Sequence, residues 1–439
     1  MKNPSAHGLE IASEQRKGNR FKTLLAGSVG HLIEWYDWSI YGLMTAIFAQ
    51  QIFPASSLAA SLIASYSVFA IGYVGRPLGA FLLSPLADKL GRRKLLSATI
   101  LMSGGGCLIV ALCPTYAQVG LVAPLLLVFA RLLQGIAAGG EFQIAVTFLN
   151  EHASNRHRAV NASPQMAAIG LGILMATGVS GLVSASFAPA TLTSWGWRLP
   201  FVLGAILSLF GLYIRRDIGE TPAFERLTKA VDQQRVGIVS ILSSLRAYPK
   251  EVFTVFVIQM NTVQYFMWMI FLPTYAHLVG QMNLAQAFTG SVIANVVFCV
   301  AVPILAAVSD RIGRKPMLIS AAFLFLFFTY PLLSMLVGVA TFRTYLLVAV
   351  VGSLFVAMNN SVIGTVFAEL FPTHIRTSGI GVPYAISALI FGGTAPLVAT
   401  WLQGKGGTLY LAAYIGVICI VSIFTYLIVL PETYKRSLV

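Results

Sequence analysis

Charge is scarce in this chain. Asp, Glu, Lys and Arg make up 10% of its 439 residues, where soluble domains carry about a quarter. Acid is scarcer than base, with 15 Asp and Glu against 29 Lys and Arg. The only cysteines, Cys107, Cys113, Cys299 and Cys419, fall in or at the ends of apolar runs. They have no CxxC spacing and no His cluster beside them, so neither a metal site nor a disulfide framework is indicated. The six histidines are scattered and supply no nucleophile with its base and no ligand cluster, which argues against an enzyme. No phosphate-loop context surrounds Gly104-Gly105-Gly106 or Gly139-Gly140, which read as close-packing surfaces. No organic cofactor is implied.

What fills the chain instead is apolar sequence: 57% of it is hydrophobic and its mean hydropathy is +0.80. A bilayer core about 30 Å thick needs roughly 20 apolar residues per helical crossing. Twelve stretches meet this, at approximately 22–48, 58–86, 95–113, 121–150, 160–187, 195–214, 252–275, 286–308, 316–337, 343–370, 376–402 and 408–430. The apolar run after the polar first twenty residues is longer than a signal-peptide core and lacks a small-residue cleavage pattern, so the first span is expected to be retained.

The net charge of +14 raises nucleic-acid binding as an alternative, and the placement of the basic residues argues against it. Of 29 Lys and Arg, 24 fall before the first span, at 89–94, 156–158, 215–250 and 311–315, at Arg376 and in the tail. The alternate connections hold only Arg198, Arg343 and Lys405, leaving Arg76 and Arg131 within spans. By the positive-inside rule this predicts a multi-pass inner-membrane protein with both termini cytoplasmic.

Signals recur across the long polar interval 215–251. Ser84-Pro85-Leu86-Ala87-Asp88-Lys89-Leu90-Gly91-Arg92-Arg93 is echoed by Ala306-Ala307-Val308-Ser309-Asp310-Arg311-Ile312-Gly313-Arg314-Lys315, with 222 residues between the aspartates. Glu151 and Arg158 are matched by Glu369 and Arg376 at an offset of 218, and Gly219-Glu220-Thr221-Pro222 more weakly by Pro431-Glu432-Thr433. This six-plus-six repeat predicts an N-terminal bundle over 22–214 and a C-terminal bundle over 252–430. Between them lies a cytoplasmic linker, 215–251, and short tails cover 1–21 and 431–439.

The duplicated D-x-x-G-R-[RK] turns, and Arg131-Leu132-Leu133-Gln134-Gly135 with Gly139, resemble motifs of the major facilitator superfamily. Within it the chain is similar to the metabolite:proton symporter family, which includes permeases for 2-oxoglutarate, citrate, shikimate, proline and betaine. The residues carrying the match are Ile33-Glu34-Trp35-Tyr36-Asp37-Trp38, Arg76-Pro77-Leu78-Gly79, Gly139-Gly140-Glu141, Trp197-Arg198-Leu199-Pro200-Phe201, Glu220-Thr221-Pro222, Glu369-Leu370-Phe371-Pro372 and Phe391-Gly392-Gly393. The resemblance implies an all-α membrane protein of twelve transmembrane helices in two pseudo-symmetric bundles, the major facilitator fold. It also implies proton-coupled uptake of a small organic acid, such as a di- or tricarboxylate, by alternating access. An osmolyte symporter for proline or betaine is the alternative within transport, and a membrane ligand sensor that moves nothing is the alternative outside it. The expected partners are a small metabolite, protons and the lipid bilayer, with the chain a monomer.

Ionisable residues inside spans are costly and so are functional candidates. At about 1.5 Å of rise per residue, Glu34 and Arg76 lie roughly 18 Å deep and Glu141 roughly 15 Å. Glu34 and Asp37, at i and i+3, share a helix face with His31 and Tyr41, and two carboxylates that close resist joint ionisation. Glu34, Asp37, Arg131 and Glu141 are therefore proton-coupling candidates, with a structural ion pair as the other reading. Arg76, whose guanidinium suits a carboxylate bidentately, is a substrate-anchor candidate together with His31, Tyr41 and Gln165. From the second half, Gln264, Tyr265, Trp268, Asn359 and Asn360 either line the cavity or make interhelical hydrogen bonds. Asp88, Arg92, Arg93, Glu151, Arg158, Asp310, Arg314, Glu369 and Arg376 read as reversible latches on the cytoplasmic face, or as topological signals alone.

Overall fold

The computed structural model describes residues 30–90, 92–151, 158–216, 245–372 and 375–434. Nearly all of them are helical. A backbone in hydrocarbon must satisfy every N–H and C=O internally, and the helix does this within one segment. In chain order the long helices are α1 (30–52), α2 (Leu58–Leu90), α3 (Arg92–Leu112), α4 (Val122–Glu151), α5 (Arg158–Ser186) and α6 (Leu199–Arg216). The second half repeats the series with α7 (Pro249–Gly280), α8 (Leu284–Ile312), α9 (Arg314–Ser334), α10 (Phe342–Leu370), α11 (376–405) and α12 (408–428). Nine candidate spans stand out by length and composition among the described residues, one of them a 50-residue stretch over Gly379–Ile428. That stretch is α11 and α12 joined where Gly406 and Gly407 leave helical geometry, Gly407 at φ +65°. With α1 and the shorter apolar run Ser97–Leu112 of α3, the count is the expected twelve.

Most helices overrun the span predicted for them. Expected over 252–275, α7 runs on to Gly280 because Pro273 does not end it. Pro273 has no N–H to return to the preceding turn, and the helix widens to a π turn over Met267–Phe271 just before it. Gln281, at φ 51°, then caps it in the left-handed conformation. A second π turn, Ala388–Gly392, interrupts α11. Asn283 caps α8 by accepting from the Ala285 amide at 2.8 Å, and Thr341 and Thr344 form a reciprocal cap on α10.

The molecule wears its apolar side chains outward, as lipid demands. Leu182, Phe210, Val300, Ile304, Phe327, Phe424 and Ile428 are exposed, while His31, Glu34, Asp37, Arg131, Gln134, Asn261 and Gln264 are buried. Helix α2 lies along α4, α3 along α6, α8 along α10 and α9 along α12; the two bundles meet through α5 with α8 and α2 with α11. The turn at 313 marks one face of the molecule, and the connections 53–57, 113–121, 187–198, 281–283 and 335–341 mark the far face. Aromatic contacts between the bundles run from mid-depth to the far face. They join Trp35 to Tyr265, Tyr73 and Phe69 to Phe266, and Tyr66 to Phe271, and Tyr66 Oη donates to Thr274 Oγ1 at 3.4 Å. The N-terminal tail and linker residues 217–244 lie outside the described residues.

Candidate functional site

Helix α1 carries two acids three residues apart, and the structure gives them different partners. Asp37 faces the inside of its own bundle. Its Oδ1 accepts from Gln134 Nε2 at 2.7 Å and Cys107 Sγ at 2.9 Å, and its Oδ2 from Ser103 Oγ at 3.2 Å. Arg131 Nη2 stands 3.9 Å from Oδ1, and both side chains are sealed, at 0% and 2% exposure. The Arg131 guanidinium lies 4.0 Å from the Tyr41 ring centroid and has no hydrogen-bond partner among the described residues. Its charge is therefore balanced through space, by Asp37 and by the electron-rich faces of aromatic rings.

Glu34 instead meets α2. Arg76 Nη2 donates to its Oε1 at 3.0 Å, and His31 Nδ1 lies 3.8 Å from Oε2. The Arg76 guanidinium is held between two rings, 4.6 Å from Tyr73 and 4.8 Å from Trp38. Trp38 also lies 5.7 Å from the Arg131 guanidinium, so one indole touches both cations. The pairwise repulsion expected from the spacing of Glu34 and Asp37 is thus offset by a separate arginine for each.

The α2–α4 contact sets these heights. A Cβ on Gly139 would collide with the carbonyl of Arg76, and one on Gly135 with the carbonyl of Gly72. The two backbones therefore touch, which places Arg76 and Arg131 at fixed levels on either side of Trp38.

The C-terminal bundle contributes less than its polar sequence suggests. Tyr265 does reach the site: its ring stands edge-on to Trp35 at 5.4 Å, and its buried hydroxyl has no hydrogen-bond partner among the described residues. Gln264 turns inward, donating to Asn261 Oδ1 at 3.2 Å and to Cys419 Sγ at 3.4 Å. Trp268 packs inside its own bundle, donating to the Val348 carbonyl at 3.3 Å and meeting Phe325 edge-on. The structure does not bring these two to α1 and α2. Asn359 is buried on α10, and Asn360 donates to the Val356 carbonyl of its own helix at 2.9 Å. Tyr41 donates to the Ser65 carbonyl at 3.1 Å inside the N-terminal bundle.

At the turn face of the second bundle, Arg314 pairs with Asp310 at 2.7 Å and Glu369 at 3.5 Å. Glu432, to which the sequence reading gave no role, accepts from the backbone amides of Arg314 at 2.9 Å and Lys315 at 3.1 Å. An acid belongs there, since these amides open α9 and point at it. Thr433 adds a 2.6 Å hydrogen bond to Glu369. The side chains of Asp88, Arg92, Arg93, Glu141, Glu151, Arg158, Gln165 and Arg376 lie outside the described residues. Trp38, Tyr73, Cys107 and Gln134, to which the sequence assigned no site role, complete the cluster; Trp38 and Gln134 stand inside its motifs, one next to Asp37 and the other one helical turn after Arg131.

A family model described as "Sugar (and other) transporter" matches residues 23–439. The chain belongs to that family, within the major facilitator superfamily. The transporter is 31% identical to the alpha-ketoglutarate permease of Escherichia coli (strain K12) over 387 residues, 88% of each chain. It is 30% identical to the citrate-proton symporter of Salmonella typhi over 386 residues, again 88% of each. It is 31% identical to a glycine betaine/proline/ectoine/pipecolic acid transporter of Dickeya dadantii (strain 3937) over 435 residues, 96% of this chain and 85% of that one. In fold it resembles the crystal structure of a D-xylose-proton symporter, at a TM-score of 0.74 and 18% identity, covering 95% of this chain and 99% of that one.

Proposed function

We propose that this transporter is a proton-coupled symporter that takes up a small organic acid by alternating access, with both termini on the cytoplasmic side. The observation that carries the reading is the pair of buried acid–guanidinium couples, Glu34 with Arg76 and Asp37 with Arg131, set around Trp38 inside the N-terminal bundle. A carboxylate in such a place exchanges a proton as its cationic partner is engaged elsewhere, and that exchange can bias which face the cavity opens to. The citrate-proton and alpha-ketoglutarate relatives favour an organic acid.

A second reading, uptake of proline or betaine, draws on the aromatic surface of Trp35, Tyr265 and Phe266, which suits a quaternary ammonium, and on the Dickeya relative. The deciding experiment uses sealed proteoliposomes of the full chain with a pH gradient, acid outside. Accumulation of at least one of labelled 2-oxoglutarate, citrate, pyruvate, proline and glycine betaine is expected, and is abolished by a protonophore. Binding without accumulation would instead identify a sensor.

A further inference from the structure

Both guanidiniums are paired with carboxylates, so an incoming anion finds no cation waiting for it. We propose that Glu34–Arg76 is an exchange site: a substrate carboxylate replaces Glu34 on Arg76 when Glu34 takes a proton, so the solute enters with a single carboxylate and one proton. This rests on the symport reading and adds which pair opens and what the solute presents.

Three observations converge on this pair. Only this one reaches a surface, its side chains being 11% and 7% exposed against 0% and 2% for Arg131 and Asp37. Arg76 donates to Glu34 through Nη2, while its buried Nε has no hydrogen-bond partner among the described residues, although a guanidinium holds a carboxylate best with two parallel donors. From the opposite bundle the Tyr265 hydroxyl is likewise buried without a partner, within electrostatic range of Tyr73 and Tyr384, which themselves face Arg76. Arg76 Nε and the Tyr265 hydroxyl are thus unspent donors, one from each bundle, of the kind a carboxylate oxygen satisfies.

The charge count limits the occupant. The spans hold Glu34, Asp37 and Glu141 against Arg76 and Arg131, and every other described Lys or Arg lies at a helix end. A proton on Glu34 uncovers one guanidinium and no more. A second substrate carboxylate would be an unpaired charge in a low-dielectric site. The titratable and charged groups around Glu34 are His31 and Asp37 on α1, Tyr73 and Arg76 on α2, Arg131 on α4, Tyr265 on α7 and Tyr384 on α11. His31 is the one besides Glu34 that needs separating by experiment, because an imidazole ordinarily titrates near neutral pH.

The test measures binding to the purified full chain by calorimetry from about pH 6 to about pH 8. Glycine betaine and pyruvate serve as single-carboxylate probes, with 2-oxoglutarate and citrate beside them. A single-carboxylate probe is expected to bind with uptake of one proton, its affinity weakening by about tenfold per pH unit once Glu34 is ionised. Glu34→Gln flattens that slope to less than about twofold, and Glu34→Asp restores it. His31→Gln keeps the slope, and Arg76→Lys weakens binding by about tenfold or more. Thermal melting confirms that each variant is folded. A pH-independent wild-type affinity, a slope that survives in Glu34→Gln, or tighter binding of 2-oxoglutarate or citrate than of both single-carboxylate probes overturns the proposal. Gradient-driven accumulation of citrate would leave symport standing while ending the single-carboxylate exchange; accumulation of none of the probes would end both.

Discussion

Asp37 and Glu34 occupy one face of one helix, yet their surroundings set them different tasks. Asp37 has three neutral donors and a sealed arginine, so whatever proton it holds is isolated from the cavity. Asp37→Asn leaves Arg131 buried without its counter-charge, so the melting temperature in detergent is expected to fall while the pH dependence of solute binding set by Glu34 persists. Gln134→Leu removes the shortest of the Asp37 hydrogen bonds and leaves a buried acceptor short of a donor, at a cost of about 1–3 kcal/mol. The melting temperature in detergent should fall accordingly. Cys107→Ser keeps a donor in place and should fall less than Cys107→Val.

At the scale of elements, the α2–α4 seam is what holds the arginines at their levels. Gly139→Val puts three carbons where the Arg76 carbonyl already stands, so the helices must separate and carry Arg76 with them. The expected outcome is loss of folded protein or a destabilisation of about 1–3 kcal/mol or more, read as a lower melting temperature. Gly364→Ala on α10 is the contrasting case. Nothing lies within 4 Å of the added carbon, and the helix gains up to about 1 kcal/mol of propensity, so that variant should melt no lower than the parent. At the C-terminal end of α8, Gly313 sits at φ +107° with its open side filled by the Glu432 carboxylate. Gly313→Ala is both strained and crowded, and is expected to dislodge Glu432 and expose the 431–434 segment to proteolysis.

At the scale of the molecule, the bundles close on each other from mid-depth to the far face through rings and small residues. A Cβ on Gly393 of α11 would meet the Tyr73 ring of α2 at 2.7 Å, so Gly393→Leu wedges that contact open. The population should shift toward the state open at the far face. Labelling of a cysteine placed at Ser61 by a membrane-impermeant maleimide added on that side should rise several-fold, with uptake falling in parallel. The Asp310–Arg314–Glu369–Glu432 network pins the turn face of one bundle internally, which allows that bundle to move as a unit.

Twelve spans, their duplication and the membrane setting were legible in the sequence because they depend on local composition and period: a run of apolar residues in lipid has few alternatives to a helix. The acids and arginines were legible too, since an ionisable residue in hydrocarbon stands out wherever it sits. Which acid meets which arginine was not, because i and i+3 spacing puts Glu34 and Asp37 on one face without saying what packs there. Glu34 reaches Arg76 and Asp37 reaches Gln134 and Cys107 only after α2, α3 and α4 close around α1 at distances fixed by glycines far along the chain. For the same reason Trp268 and Gln264, polar or aromatic enough to suit a cavity, turned into their own bundle, where a carbonyl, an asparagine and a thiol met their donors. Helix identity is a property of a segment, and the direction a side chain faces is a property of its neighbours.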